Sequence, residues 1–175
     1  MEEIKNLSNS ITKDGVLCIV LIKRGYGQFD QKYLLVQDFN DRGTGTGIRK
    51  YGLPGGGIEF GESKEEAIKR ELFEEVDLDL PEKNFVNIGS FEKLRPNGII
   101  NKNHLFVVRL NFSPELGTND PEEVSKVHIM DFRKIMKLAQ NGEVHEGSIR
   151  LIFNFLNGKK SGSLNDITCF NGYVF

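Results

Sequence analysis

The chain has 175 residues, of which 23 are basic and 25 acidic, giving a formal net charge of −2. This length suits one domain with a sizeable core, and the charge excludes the basic surface expected of a protein that binds duplex nucleic acid. Cys18 and Cys169 lie in apolar runs without metal-ligand spacing, as core residues of a cytoplasmic protein do. The polar start is unlike a signal peptide, and the apolar run at 16–22 is too short to span a membrane. We therefore expect a single domain over residues 1–175, in the cytoplasm and without a membrane partner.

The first part of the chain predicts strands separated by glycine-containing loops. Residues 16–22 are a continuous apolar run rich in β-branched side chains, which is typical of a central strand buried on both faces. Residues 33–36 predict a second strand, and the polar stretch 37–50, with its repeated glycines, predicts a flexible loop. Residues 51–53 predict a short strand that leads into a tight glycine loop at 54–57.

A helix is predicted directly after the glycine loop. Ser63 suits the N-cap position, and Glu66, three residues later, completes a capping box. The helix carries an apolar stripe that would pack on a core, formed by Ile68, Leu72 and Val76 with Phe73 nearby.

The second half of the chain predicts three more strands, two helices and a terminal hairpin. Asn97 and Gly98 form a turn signal between the first two of these strands and favour antiparallel pairing. Asp131 suits the cap of the first helix. The predicted strands are 85–94, 104–112 and 124–130, and the first helix is Phe132–Gln140. The second helix has a predicted apolar face formed by Ile149, Ile152, Phe153 and Leu156. The hairpin joins 167–170 to 173–175. This mixture predicts an α/β or α+β fold.

Three carboxylates share one face of the helix that follows the glycine loop. Glu71, Glu74 and Glu75 fall at i, i+3 and i+4. Like charges at this spacing are mildly destabilising unless a positive charge lies between them. Clustered carboxylate oxygens suit Mg²⁺ or Mn²⁺, which are hard cations that prefer oxygen ligands. Taken alone, such a cluster is more often a solvated acidic helix face.

A longer pattern around the cluster distinguishes these readings. Gly56 is followed after five residues by Glu62, and after seven more by Arg70, Glu71, Leu72, Glu74, Glu75 and Leu78 in the order REUxEExxU. Residues 56–78 therefore resemble the Nudix box, Gx5Ex7REUxEExGU, and depart from it only at Asp77, where the box has glycine. Chance agreement at the six fixed glycine and charged positions is on the order of 10⁻⁷ per window.

The resemblance implies both a fold and a reaction. Nudix proteins are α/β/α sandwiches with a mixed β-sheet between helices. Their reaction is the hydrolysis of a nucleoside diphosphate linked to another moiety, by attack of water at phosphorus. Because carboxylates repel a phosphoanhydride, a bound Mg²⁺ or Mn²⁺ would bridge the two.

The resemblance also implies roles for the matching positions. The expected metal ligands are Glu74, Glu75 and Glu71, with the Gly55 carbonyl as a further candidate. Arg70 would pair with these carboxylates and offset their repulsion. Glu71 is alternatively a base, and Glu62 either supplements the metal site or acts near the helix N-terminus.

Further candidates for the general base, and candidates for substrate contacts, lie outside the box. Glu122 and Glu123, just before the late strand, are the first candidates for the base, with Glu115 next, and each is alternatively a solvated loop residue. Arg49 and Lys50 precede the glycine loop and would either meet phosphate or belong to a solvated loop.

Two further residues have open roles. His145 is either a catalytic helper or a surface histidine, since nothing in the sequence places it near the box. Asp77 stands where a helix typically ends in a left-handed turn, a conformation that aspartate tolerates better than most residues. We expect a tolerated cap pointing away from the glutamates, and the alternative is a contact to a cation or substrate.

The expected substrate is a nucleotide-type small molecule, such as a nucleotide or nucleotide sugar, and a homodimer is left open. One alternative is a Nudix-fold module that binds a nucleotide without cleaving it, against which the intact REUxEE pattern argues. Another is an RNA 5′-end pyrophosphohydrolase, against which the lack of a basic stripe argues.

Overall fold

The computed structural model describes residues 12–23, 31–40, 47–94 and 99–157. The terminal hairpin, the turn at Asn97 and Gly98, Cys169 and part of the 37–50 loop lie outside these residues. One domain over residues 1–175 therefore stays a prediction.

A mixed sheet of six strands forms the middle layer of the described part of the chain. The strands are β1 Thr12–Lys23, β2 Gln31–Asp38, β3 Tyr51–Gly52, β4 Val86–Leu94, β5 Ile100–Leu110 and β6 Val124–Asp131. Their order is β3-β2-β1-β5-β4, with β6 paired to β2. β1 pairs parallel with β5 and antiparallel with β2, and its central position agrees with the continuous apolar run at 16–22. β4 and β5 pair antiparallel, as predicted.

Three helices flank the sheet in the described residues, and the first two begin at capping signals of the sequence. They are α1 Lys64–Val76, α2 Phe132–Gln140 and α3 Glu146–Leu156, with a single 3-10 turn at Glu82–Asn84. The Ser63 hydroxyl accepts from Glu66 N at 3.1 Å, and the Glu66 carboxylate accepts from Ser63 N at 2.8 Å, which completes the predicted capping box. Asp131 caps α2 by accepting from Lys134 N at 2.7 Å. None of the described helices is long and apolar enough to cross a membrane.

The sheet buries a hydrophobic core on each face because successive side chains of β1 point to opposite sides. One face packs on α1 and the other on α2 and α3. The first core includes Val16, Cys18, Val20, Ile68, Leu72 and Val76, and the second includes Ile19, Leu21, Ile135, Leu151 and Ile152. The predicted α/β/α sandwich is therefore confirmed.

Two predicted apolar stripes are wrong in detail. Phe73 is 47% exposed and lies outside the buried stripe of α1. In α3, Leu156 is 40% exposed, whereas Ser148 and Leu151 are buried together with Ile152. The buried face of α3 is therefore rotated about the helix axis, by one residue position, from the face predicted from the sequence. Its sequence has apolar side chains on several faces, so packing against the sheet, and not periodicity, selects the face.

Candidate active site

The glycine loop after β3 lies beside β1 and against α1. The backbone N–H of Val16 donates to Gly56 O at 2.9 Å. Gly55 has a φ of 137°, and a Cβ there would overlap the carbonyl oxygen of Val16, so only glycine fits. A Cβ at Gly56 would overlap the carboxylate of Glu71. These two glycines therefore let the loop backbone approach the box carboxylates.

Two of the three clustered glutamates are buried beneath this loop. Glu75 is 3% exposed, and its Oε2 accepts a 2.7 Å hydrogen bond from Gly55 N. Glu71 is 7% exposed and lies against Gly56, while the side chain of Glu74 is 41% exposed and lies outermost. The helix thus brings all three predicted ligands to one face. Gly55 contacts Glu75 through its N–H, and ligation of a cation by its carbonyl stays a prediction.

Arg70 joins the carboxylates to each other and to the glycine loop. Its guanidinium binds Glu62 in bidentate fashion, Nε to Oε1 at 2.9 Å and Nη2 to Oε2 at 3.1 Å. Nη1 donates to Glu71 Oε1 at 2.9 Å and to Glu74 Oε2 at 3.0 Å, and Nη2 donates to Gly57 O at 2.9 Å. The planar fork therefore lies among the like charges and offsets their repulsion. Glu62 is engaged with Arg70.

The pKa values of two box carboxyls are shifted in opposite directions. Burial raises the pKa of Glu71; the charge and hydrogen bond of Arg70 lower it only in part, and the charges of Glu74 and Glu123 raise it further. The hydrogen bonds from Arg70 hold the pKa of Glu62 below its usual value. One arginine thus faces more negative charge than it can neutralise, which is the electrostatic setting of a cation site.

Of the three loop glutamates considered as bases, Glu123 is the one linked to this cluster. Its charge contributes to the raised pKa of Glu71, and its carbonyl accepts a 2.9 Å hydrogen bond from Phe39 N. All three glutamates are exposed, and neither Glu122 nor Glu115 is among the charges that shift the pKa of Glu71. The charge of Glu123 therefore couples it to Glu71, and its role as the base stays a prediction.

The two predicted phosphate contacts lie beside the segment that carries Glu123. The guanidinium carbon of Arg49 lies 5.6 Å from the ring centroid of Phe39, whose backbone is bonded to Glu123. Lys50 is half-buried, and its carbonyl accepts from Asp38 N at 3.0 Å. Phe39 thus connects Arg49 to the backbone of Glu123, and the phosphate contacts of Arg49 and Lys50 stay predictions.

His145 pairs with a residue that the sequence analysis missed. His145 Nε2 lies 2.7 Å from Asp38 Oδ2, and Asp38 is 5% exposed. The pair joins the start of α3 to the end of β2. Asp38 reads as an ordinary polar residue after an apolar strand, and it lies 107 positions from its partner. Asn119, which contacts the end of α1, was missed for the same reason: the sequence has no local signal for it.

Solved structures share this fold. The NUDIX domain of Shewanella oneidensis NrtR, complexed with ADP ribose, is 18% identical, with a TM-score of 0.66 over 89% of this chain and 94% of that chain. An Ap4A hydrolase binary complex from C. elegans is 16% identical, with a TM-score of 0.58 over 83% and 98%. A MutT/nudix family protein from Enterococcus faecalis is 22% identical, with a TM-score of 0.58 over 70% of this chain, which spans 45% of that chain. At these identities the likeness shows the fold alone.

The sequence itself provides the family assignment. No curated protein matches the chain. The family model described as NUDIX domain matches residues 12–152, which include every described strand and the whole of the box. The match covers far more than half of the chain and confirms the resemblance drawn from residues 56–78. The chain therefore belongs to the Nudix family, and it is a pyrophosphohydrolase of that family.

Proposed function

We propose that the chain hydrolyses a nucleoside diphosphate linked to another moiety, using Mg²⁺ or Mn²⁺ bound by the glutamates of α1. The observation that carries this proposal is the convergence of Glu71, Glu74 and Glu75 on one face, beside the glycine loop and around the guanidinium of Arg70. A solvated acidic helix face would not bury two of its three carboxylates.

The donor set fits a hard divalent cation. The candidate ligands are all oxygens, and burial raises the pKa of Glu71, so its ionised form gains from a nearby positive charge. Within the described residues, no three acidic, histidine or cysteine side chains form a ready-made cation site, and Arg70 Nη1 lies between Glu71 and Glu74. A cation held by these glutamates would neutralise charge on the phosphates and lower the pKa of the attacking water.

The protein groups around this site have separate tasks. The N–H of Gly55 fixes the orientation of the Glu75 carboxylate. Glu62 holds Arg70 at two points, so the guanidinium stays between the box carboxylates. The base that takes the proton of the attacking water is Glu71 or Glu123, because both carboxylates belong to the same electrostatic cluster.

We propose a nucleotide-type small molecule as substrate, without duplex nucleic acid or membrane as partner. Two proteins of this fold are described with ADP ribose or as an Ap4A hydrolase, and both names denote adenosine phosphates joined through phosphoanhydride bonds. Arg49 is exposed beside Phe39, where its charge can meet a phosphate. A cytoplasmic location is part of the proposal, and the free, buried thiol of Cys18 suits a reducing compartment.

The test is a substrate panel assayed for released phosphate products with and without Mg²⁺. The panel contains nucleotide sugars, ADP-ribose, diadenosine tetraphosphate and 5′-triphosphate RNA, and we expect cation-dependent hydrolysis of a small-molecule member. Glu75→Gln should remove this activity, whereas Glu65→Gln, on the same helix but outside the cluster, should retain it. Binding of a nucleotide without hydrolysis of any member would contradict the proposal and favour a binding module. Preferred hydrolysis of the RNA would overturn the choice of substrate.

A further inference from the structure

The segment 117–123, which we call the capping loop, covers the C-terminal end of α1. We propose that Asp77 and Asn119 fix the capping loop on α1 and so position Glu123 relative to the box carboxylates. Asp77 is the position at which this chain departs from the Nudix box. The consequence for turnover rests on the proposed function, whereas the tether itself rests on hydrogen bonds between described residues.

Asp77 ends α1 in the left-handed conformation, with φ of 55° and ψ of 40°. Among the described residues it is the only non-glycine residue with a positive φ. Its N–H donates to Phe73 O at 3.1 Å, and Leu78 N donates to Leu72 O at 3.1 Å, as at a helix end closed by glycine. Glycine adopts this conformation freely, while other residues are strained by about 1 kcal/mol. A contact of the aspartate side chain would offset this strain.

The capping loop supplies that contact. Asn119 Nδ2 donates to Asp77 Oδ1 at 2.9 Å and to Phe73 O at 2.9 Å. The backbone of Gly117 lies next to the Asp77 side chain: a Cβ built at Gly117 would lie 3.5 Å from the Cβ of Asp77. The side chain of Asp77 is thus engaged with the loop, which argues against the alternative that it binds a cation.

The same loop is bonded to the backbone of a candidate metal ligand. Thr118 Oγ1, Asn119 N and Asp120 N all donate to Glu74 O, at 3.2, 2.7 and 3.0 Å. These donors satisfy a carbonyl that the helix end leaves without an intrahelical partner. The start of the capping loop is therefore attached to the turn of α1 that carries Glu74.

The other end of the capping loop carries Glu123, and Asp120 connects the two ends. Asp120 Oδ1 accepts from Glu122 N and from Glu123 N, at 3.2 Å each, and its carbonyl accepts from Val124 N at 3.1 Å. Asp77 is thus connected to Glu123 through its hydrogen bond to Asn119, the peptide bond to Asp120, and the hydrogen bond from Glu123 N to Asp120 Oδ1. Loss of the first bond removes one of the contacts that attach the capping loop to α1, beside those to Phe73 O and Glu74 O, and so loosens the start of the path that leads to Glu123.

Three variants separate this role from simple capping. Asp77→Gly removes the strain and the acceptor together, so capping is retained and the contact of Asp77 with Asn119 is lost. Asp77→Asn keeps an amide oxygen as acceptor and tolerates the left-handed conformation, so it should preserve the tether. Asn119→Ala removes the donor. The matched control is Asn157→Ala. Asn157 Nδ2 donates to Phe153 O at the end of α3 at 2.8 Å, as Asn119 Nδ2 donates to Phe73 O at the end of α1, but Asn157 lies outside the capping loop.

The experiment measures amide hydrogen exchange of residues 118–124, thermal unfolding, and kcat and KM for the best substrate of the panel. We expect Asp77→Gly and Asn119→Ala to speed exchange in the capping loop about tenfold. We expect kcat to fall about fivefold in both, with KM within about twofold. Asp77→Gly should unfold at a temperature no lower than the unchanged protein. In Asp77→Asn and Asn157→Ala, the amides of the capping loop should exchange at the rate of the unchanged protein.

Hydrogen exchange tests the tether independently of the proposed hydrolytic activity. Accelerated exchange in both tether variants supports the tether even if no member of the panel is hydrolysed. Unchanged exchange in Asp77→Gly would show that Asp77 is only a cap and would overturn the inference. A fall in kcat without faster exchange would overturn it too, because Asp77 would then act on the substrate directly. Equal defects in Asp77→Asn and Asp77→Gly would show that charge, and not the acceptor, matters.

Discussion

Replacing Arg70 with alanine should destabilise the protein more at neutral than at acidic pH. Arg70 donates five hydrogen bonds, and the side chains of Glu62 and Glu71 are only 14% and 9% exposed. Breaking a buried ion pair by removing one partner costs about 3–5 kcal/mol. Because the Arg70 side chain is itself 24% exposed, and Glu74 is well hydrated, we expect a loss of about 2–3 kcal/mol at pH 7.

The dependence on pH follows from the two shifted carboxyls. The folded pKa of Glu62 is lowered by Arg70, so its stabilising contribution is present above the unfolded pKa and disappears as pH falls through the folded one. Burial raises the folded pKa of Glu71, so its ionisation destabilises the fold as pH rises through that value. Without Arg70, ionised Glu62 no longer stabilises the fold, and the ionisation of buried Glu71 costs more. The difference from the unchanged protein should therefore shrink on acidification.

Urea unfolding at pH 7 and at about pH 4, without divalent cations, measures both effects. Arg70→Lys should lie between the alanine variant and the unchanged protein, because lysine keeps the charge but not the bidentate fork. The control is Arg150→Ala, which removes one surface pair with the 75% exposed Glu146 and should change the free energy of unfolding by less than about 0.5 kcal/mol. A loss below about 1 kcal/mol for Arg70→Ala, or one that is independent of pH, would refute the reasoning.

The remaining predictions concern the cation, the water and the histidine pair. Glu74→Gln and Glu75→Gln should each lower kcat about 10²-fold or more, since the amide cannot balance the charge of the ion; near-native turnover at limiting Mg²⁺ would reject these ligands. Single turnover in ¹⁸O-water should label one phosphate product, because the box offers no serine or cysteine beside a histidine; unlabelled product would indicate an enzyme nucleophile. His145→Ala should lower the free energy of unfolding by about 1 kcal/mol, because buried Asp38 loses this hydrogen bond, and chemical denaturation without change would contradict that.

Local signals predicted much of this fold because they act over a few residues. The capping box at Ser63 and Glu66 and the cap at Asp131 are satisfied within three positions, and the structure shows each of them. The box residues could be found in the same way, since helix geometry places the glutamates on one face. The face of α3 was misjudged by one residue, because apolar side chains at several angles leave the choice to the sheet.

The contacts that sequence analysis missed join distant parts of the chain. Asn119 meets Asp77 across 42 positions, and Asp38 meets His145 across 107. Both are hydrogen bonds between ordinary polar residues, whose sequence neighbours give no indication of a partner. Their geometry depends on how the loops cross the sheet edge, which only the folded chain defines.

The acidic residues that suit α1 to bind a cation also destabilise it as a helix. The last turn carries Glu74 and Glu75 and ends at Asp77, with no basic residue, so these charges face the negative end of the helix dipole. Glu71 and Glu75 also repel each other at i and i+4. The helix persists because other contacts outweigh these terms: its apolar stripe is fully buried, Arg70 lies among the carboxylates, and the capping loop satisfies the terminal carbonyls. Tertiary contacts therefore hold together a helix whose own charges suit a cation better than they suit a helix.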